Sequence, residues 1–185
     1  MSWQQACRRY DFDELTSQLD SIFFEASATQ TFDDGAVRAA FRDRWLGRYL
    51  DQRPTFASVA LVERGRAPVV AGYVIGSMRD PSCDPLFSDI PYFERLADLC
   101  ALYPAHLHIN LAPAFRGRGI GQRLVRRFSA QAYVKGAGGL HVVTGARSRN
   151  VTFYRRLGLK PVCVEALDGN EIAMLAAKLP LHATR

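Results

Sequence analysis

Residues 106–124 read "HLHINLAPAFRGRGIGQRL": an alternating run, a proline at 113, then three glycines and three arginines crowded into residues 114–124. In an extended strand, His106, His108 and Asn110 share one face and Leu107, Ile109 and Leu111 the other. From Ile120 the period changes, and Ile120, Leu124, Val125, Phe128 and Ala132 form one apolar stripe of a helix through "IGQRLVRRFSAQAYVK". The segment is a strand that enters a helix through a glycine turn. Glycines so closely spaced cost backbone entropy, so an unusual conformation or a close approach is expected there. A helix N-terminus also leaves backbone N–H groups unpaired, and their partial positive charge favours an anion.

Which anion is narrowed by elimination. A Walker A loop requires Gly-Lys-Ser/Thr, and Gly121 is followed by Gln122. The dinucleotide fingerprint requires a last glycine at Gln122 or Leu124, so it fails as well. What stays is Arg116-x-x-Gly119-x-Gly121 after a strand and a proline, with a purely structural turn as the other reading.

Working outward, "DFDELTSQLDSIFFEAS" places Phe12, Leu15, Leu19, Ile22 and Phe23 at helical spacing, and "DDGAVRAAFRDRWLGRYLDQRP" does so with Val37, Phe41, Trp45 and Tyr49. Two amphipathic helices therefore precede the strands "FASVALVERG" and "PVVAGYVIGSMRD", an antiparallel hairpin turning at Gly65 and Pro68. Residues 80–104, with three early prolines and a helical pattern over 92–102, read as an excursion over the surface. After the glycine segment come the strand "GLHVVTG", a short helix "SRNVTFYRRLG" ended by Gly158, and a hairpin "LKPVCVEALDGNEIAMLAAKL" turning at Asp168 and Gly169. The order ααββ(α)βαβαββ predicts a mixed α/β fold in a single domain, residues 1–185.

Composition fits that size: 185 residues, 48% hydrophobic, enough for one core. The net charge is +6, and of 24 basic residues only Lys135, Lys160 and Lys178 are lysine. Arginine favours bidentate phosphate or carboxylate partners, although a solvated arginine surface has the same composition. Cys7, Cys83, Cys100 and Cys163 have neither zinc-ligand nor disulfide-framework spacing, so no metal is expected. With no signal-type apolar segment and no run near the roughly 20 residues of a membrane span, a soluble, reducing, cytoplasmic setting is expected.

The strand, the proline, "RGRGIGQRLV" and the downstream "FYRRLGLKPV" together resemble the GCN5-related N-acetyltransferase (GNAT) family, well over residues 106–175 and in element order before that. The resemblance implies a sheet with mostly antiparallel N-terminal strands, a splayed parallel central pair and flanking helices. It implies acetyl-CoA as co-substrate, its pyrophosphate on the backbone N–H groups of Arg116, Gly117, Arg118, Gly119, Ile120, Gly121 and Gln122. The pantetheine arm would pair with backbone groups at Ile109, Asn110 and Leu111, an N–H near Ile109 polarising the thioester carbonyl. The reaction implied is direct attack of a neutral primary amine within a ternary complex.

Tyr154 matches the family tyrosine that donates to the CoA sulfur as general acid; a tyrosine packed on the core is the alternative. His108, ahead of His106, is the candidate base, although the family's histidines on this strand sit about one residue out of this register, and structural histidines explain the same letters. "YPAHLHINL" further resembles the acetyltransferase-like domain of O-GlcNAcase proteins, where an Asp commonly stands at Asn110; Glu25, Asp89 and Glu94 are then unplaced candidates. Asn150 is read either as a CoA contact or as a helix cap. Arg123, Arg126, Arg127, Arg147 and Arg149 are candidates for the 3′-phosphate or for plain solvation.

The expected acceptor is a small-molecule or peptide amine, entering beside Phe23, Phe24, Phe32, Phe87, Tyr92 and Phe93, which line a pocket or form core. A homodimer is compatible with this reading; a membrane and a specific nucleic acid are not expected, because no nucleic-acid motif accompanies the charge. The alternative function is a non-catalytic acyl-CoA-binding sensor of the same fold.

Overall fold

The computed structural model describes residues 1–64, 67–167 and 169–181, so the turn positions Gly65 and Asp168 lie outside the described residues. Six strands form one mixed sheet in the order β1-β2-β3-β4-β6-β5, with β1 at Ser58–Arg64, β2 at Ala67–Ser77, β3 at Ala105–Leu111, β4 at Gly139–Gly145, β5 at Lys160–Leu167 and β6 at Asn170–Lys178. Neighbours run antiparallel except β3 and β4, whose parallel ladder contains the pairs Ala105–Leu140 and His106–His141. Helices precede, interrupt and follow these strands: α1 at Trp3–Arg9, α2 at Phe12–Ala26, α3 at Gly35–Arg42, α4 at Arg48–Gln52, α5 at Pro91–Arg95, α6 at Ala97–Leu102, α7 at Ile120–Val134 and α8 at Arg149–Arg156. None of the described helices is long and apolar enough to cross a membrane.

The chain packs as two compact units, the first comprising residues 1–76 and 108–128. Here α2 is capped by Asp11, whose carboxylate accepts from Glu14 N, and it buries Leu15, Leu19, Ile22 and Phe23. Phe12, assigned to that stripe by spacing, is 53% exposed, because it sits in the first turn where the helix starts beyond the core. The second sequence pattern is not one helix: α3 passes through a π-helical turn at Asp43–Gly47 into α4. Val37 at its start is exposed, while Leu46, Tyr49 and Leu50 at its end are buried. The unit also contains α1, which the letters did not reveal, with Trp3 and Ala6 buried and Ser2 and Gln5 closing a capping box.

Strand β2 approaches β3 so closely that a Cβ at Gly72 would stand 2.3 Å from Leu111 Cδ2 and 2.7 Å from the Asn110 carbonyl oxygen. Only glycine fits there. Helix α7 buries the whole anticipated stripe, Ile120, Leu124, Val125, Phe128 and Ala132. At roughly 1.5–3 kcal/mol for each large side chain, that burial anchors the helix that follows the glycine turn.

The second unit comprises residues 77–107 and 129–185. Residues 80–104 are no surface excursion: Phe87, Ile90, Tyr92, Phe93, Leu96 and Cys100 are buried. The prolines start short helical turns rather than exclude the segment from the core, Pro85 opening a 3-10 turn and Pro91 opening α5. Phe87 and Phe93 stand with ring centroids 4.8 and 5.2 Å from His106, and His106 stacks on His141 at 5.7 Å. The His141 Nδ1–H donates to the Tyr103 carbonyl at 2.5 Å, and its Nε2 is buried with no hydrogen bond among the described residues. Burial lowers the His141 pKa to about 4, against smaller upward effects of that carbonyl and of Asp80.

Two outcomes follow for stability. Because His141 takes up a proton more readily unfolded, its contribution is complete above about pH 6.5 and is lost as pH falls toward about 4. Urea unfolding at pH 7 and pH 5 should show about 2 kcal/mol of loss from this group, and a His141→Gln variant should lack that part of the slope; an unaltered slope contradicts the assignment. Gly72→Ala should lower stability by about 1–3 kcal/mol through overpacking against β3, and a Tm equal to that of the parent contradicts the close approach.

Candidate functional site

The glycine turn in the first unit is built from main-chain constraints. A 3-10 turn at Pro113–Phe115 follows β3, and the chain then reaches α7 through Gly117 and Gly119, both at φ +73°. That is the left-handed region where an L side chain is strained by about 1–2 kcal/mol. Nothing lies within 4 Å of a Cβ placed at Gly117, so conformation, not space, demands glycine there. Arg116 folds back, its Nε donating to the Leu111 carbonyl at 3.0 Å, and so ties the start of the turn to the end of β3.

Donors accumulate as a result. Phe115 N and Arg116 N bond to Ala112 O and Pro113 O, and Arg123 N closes the first α7 turn on Gly119 O. Between them, the N–H groups of Gly117, Arg118 and Gly119 have no acceptor among the described residues, and those of Ile120, Gly121 and Gln122 are the unpaired donors of a helix start. Gly117, Arg118 and Gly119 are exposed, while Ile120 and Gly121 are buried in the first turn of α7. Arg123 leans over the turn, its Nη1 3.7 Å from a Cβ position at Gly119, and Arg118 lies over the Phe115 ring. No acidic residue occurs from 99 to 164. Six consecutive N–H donors, glycine access and an all-basic surround match an oxyanion of the pyrophosphate type.

The part of β3 in this unit carries the residues of uncertain role. His108, Ile109, Asn110 and Leu111 are all half-buried. The His108 Nε2 lies 3.0 Å from the Tyr49 hydroxyl oxygen, and its ring meets the Tyr49 and Trp45 rings edge-on at 5.2 and 5.6 Å. The Asn110 amide donates to the Tyr73 hydroxyl at 2.8 Å. Tyr73 is buried, and that burial raises its pKa, so the phenol stays neutral. Asn110 is thus engaged by β2. Tyr49 and Tyr73 were not singled out as site residues from the sequence; Tyr49 entered only as part of a helical stripe, since periodicity reports a face and not a tertiary partner.

In the second unit, His106 is buried in the aromatic cluster described above, although alternation puts it on the same strand face as His108. Tyr154 on α8 is buried, with the Phe153 ring edge-on at 5.1 Å, and burial raises its pKa. It is a neutral phenol able to donate a proton. Asn150 is not the cap of α8: Ser148 is, its hydroxyl accepting from Asn150 N at 3.1 Å. Asn150 stands one turn-position inside the helix and is exposed, because the Ser at 148 already supplies the capping oxygen. Arg147 pairs with Glu171 at 3.2 Å at the surface. Phe23, Phe87, Tyr92 and Phe93 belong to the cores of their units, and Phe24 and Phe32 are half-buried; Glu25, Asp89 and Glu94 are exposed. Among the described residues, no group of three or more His, Cys, Asp or Glu is arranged to hold a metal ion.

Comparison with known proteins meets this geometry from outside. The family model for the acetyltransferase (GNAT) domain matches residues 58–161, from β1 into β5. Among solved structures, that of SsHAT is similar at TM-score 0.68 and 23% identity, covering 91% of this chain and 95% of that one. The Drosophila melanogaster polyamine N acetyltransferase, an enzyme that catalyses the formation of N acetylagmatine, is similar at TM-score 0.63 and 15% identity over 90% and 94% of the two chains. The putative acetyltransferase yncA of Salmonella typhimurium, solved with its cofactor acetyl-CoA, is similar at TM-score 0.57 and 15% identity over 95% of each. The strand-turn-helix cradle and the sheet that carries it are those of a chain that belongs to the GNAT acetyltransferase family.

Proposed function

We propose that residues 1–185 act as one acetyl-CoA-dependent N-acetyltransferase domain, passing an acetyl group to a primary amine by direct attack in a ternary complex. The observation that carries this reading is the run of unpaired N–H donors from Gly117 to Gln122, set by two left-handed glycines and by the Arg116 tie to Leu111. Those donors hold the pyrophosphate of acetyl-CoA, with Arg118 and Arg123 adding charge and Asn150 a further candidate contact. The backbone of Ile109, Asn110 and Leu111 pairs with the pantetheine arm, where β3 and β4 separate beyond their ladder. Acetyl-CoA in the yncA structure and the amine substrate of the Drosophila enzyme accord with this donor and acceptor class.

Two protons must move. The acceptor ammonium loses one to become nucleophilic, and the departing thiolate gains one. His108 takes the first and the Tyr154 phenol supplies the second; the raised pKa of Tyr154 keeps its proton in place until sulfur develops charge. Asn110, an amide already donating to Tyr73, cannot serve as base. It stands where the O-GlcNAcase-like subgroup commonly carries Asp, so membership of that subgroup, if the chain shares it, comes without that carboxylate. The acceptor is a small molecule or a peptide, the setting cytoplasmic, and two copies of the chain are compatible with it.

The test is calorimetric titration with acetyl-CoA followed by a panel of primary amines: polyamines, amino acids, aminoglycosides and peptides with free N-termini. Micromolar acetyl-CoA binding and turnover of at least one amine are expected. Binding with no turnover favours the non-catalytic acyl-CoA sensor, and no binding by folded protein overturns the reading. Gly119→Ala should weaken acetyl-CoA binding about tenfold and cost about 1–2 kcal/mol in unfolding stability. Tyr154→Phe should reduce kcat by about 10²-fold with acetyl-CoA affinity retained; unchanged kcat removes its acid role.

A further inference from the structure

Resting on the reading of His108 as base, we infer that Tyr49 is its positioning residue and sets its tautomer. The π-helical turn at Asp43–Gly47 and the start of α4 present Trp45 and Tyr49 together to one ring. Such turns recur at functional sites because they shift a helix face locally. The turn is sterically specified: a Cβ at Gly47 would stand 3.1 Å from Asp43 Oδ1 and 3.2 Å from Arg42 Nη1. The edge-on contacts of Trp45 at 76° and Tyr49 at 69° hold the plane of the imidazole. They do not distinguish its two nitrogens. The Tyr49 hydroxyl does, by lying 3.0 Å from Nε2.

Tyr49 is fully buried, so the nitrogen it engages is shut away from an incoming amine. If His108 is to take the amine proton, it takes it on Nδ1, and a neutral imidazole has a lone pair on Nδ1 only when Nε2 carries the hydrogen. The Tyr49 oxygen therefore accepts from Nε2–H. The step balances: the ammonium N–H bond breaks, its electron pair stays on the amine nitrogen, and the proton bonds to Nδ1 to give an imidazolium. The positive charge then lies beside the phenol oxygen, which stabilises it. The opposite arrangement, Tyr49 donating to Nε2, leaves a proton on Nδ1 and no base at all.

The full-length protein with 15N-labelled histidine reports this directly, because long-range 1H–15N correlation separates protonated from lone-pair ring nitrogens. His108 is assigned by its absence in His108→Asn. A protonated Nε2 with a lone-pair Nδ1 is expected in the parent protein, and the reverse overturns the inference without any variant being needed. Tyr49→Phe should mix the two tautomers and lower kcat about tenfold, with KM for acetyl-CoA unchanged, using the panel amine turned over fastest. Undiminished kcat in Tyr49→Phe overturns the positioning role. Undiminished kcat in His108→Asn removes the base reading itself, and Tyr49's role with it, while acetyl-CoA binding would still stand.

Discussion

The hydrogen bond from Arg116 Nε to the Leu111 carbonyl is the constraint on which the cradle depends. A strand end normally offers its last carbonyl to solvent or to a neighbouring strand. Here the guanidinium takes it, and the chain is turned while two glycines at positive φ absorb the change of direction. The N–H groups between the 3-10 turn and the first α7 hydrogen bond are left pointing out of the main chain. Helix α7 holds the arrangement from the other end, since its stripe from Ile120 to Ala132 is buried and the first turn cannot drift.

The same strand carries two kinds of polar residue. His106 sits in a dry aromatic cluster, and His141 beside it has its pKa lowered to about 4 by burial. Two residues further on, His108 and Asn110 find hydroxyl groups, one on α4 and one on β2. An imidazole with a phenol partner has a defined orientation and a defined proton inventory, which a relay requires. An imidazole packed among rings contributes to cohesion.

Much of this was legible in the letters, for physical reasons that differ by element. The α7 stripe was readable because a 3.6-residue period of large apolar groups has one solution, and the β5–β6 hairpin because a two-residue turn bounds it. Arg116, Gly117 and Gly119 were readable because few backbone paths require that combination. The π turn at Asp43–Gly47 was hidden, since its hydrogen bonding leaves no mark on hydrophobic spacing over five residues. Prolines in 80–104 suggested a surface path, yet at Pro85 and Pro91 they start helical turns whose aromatic residues are buried. Asn150 looked like a cap, but Ser148 has the hydroxyl in reach of the first free N–H groups. The difference between His106 and His108 is tertiary: alternation gives them one face and cannot say which neighbours fill it.

The central claim is that main-chain N–H groups of residues 117–122 hold the pyrophosphate of acetyl-CoA. Backbone-resolved 1H–15N correlation spectra recorded during an acetyl-CoA titration test it most directly. The account predicts saturable downfield amide-proton shifts concentrated at residues 117–122, reproduced in part by CoA and absent with a pantetheine lacking the pyrophosphate. Saturable shifts confined to other parts of the chain, with residues 117–122 unmoved, would contradict it.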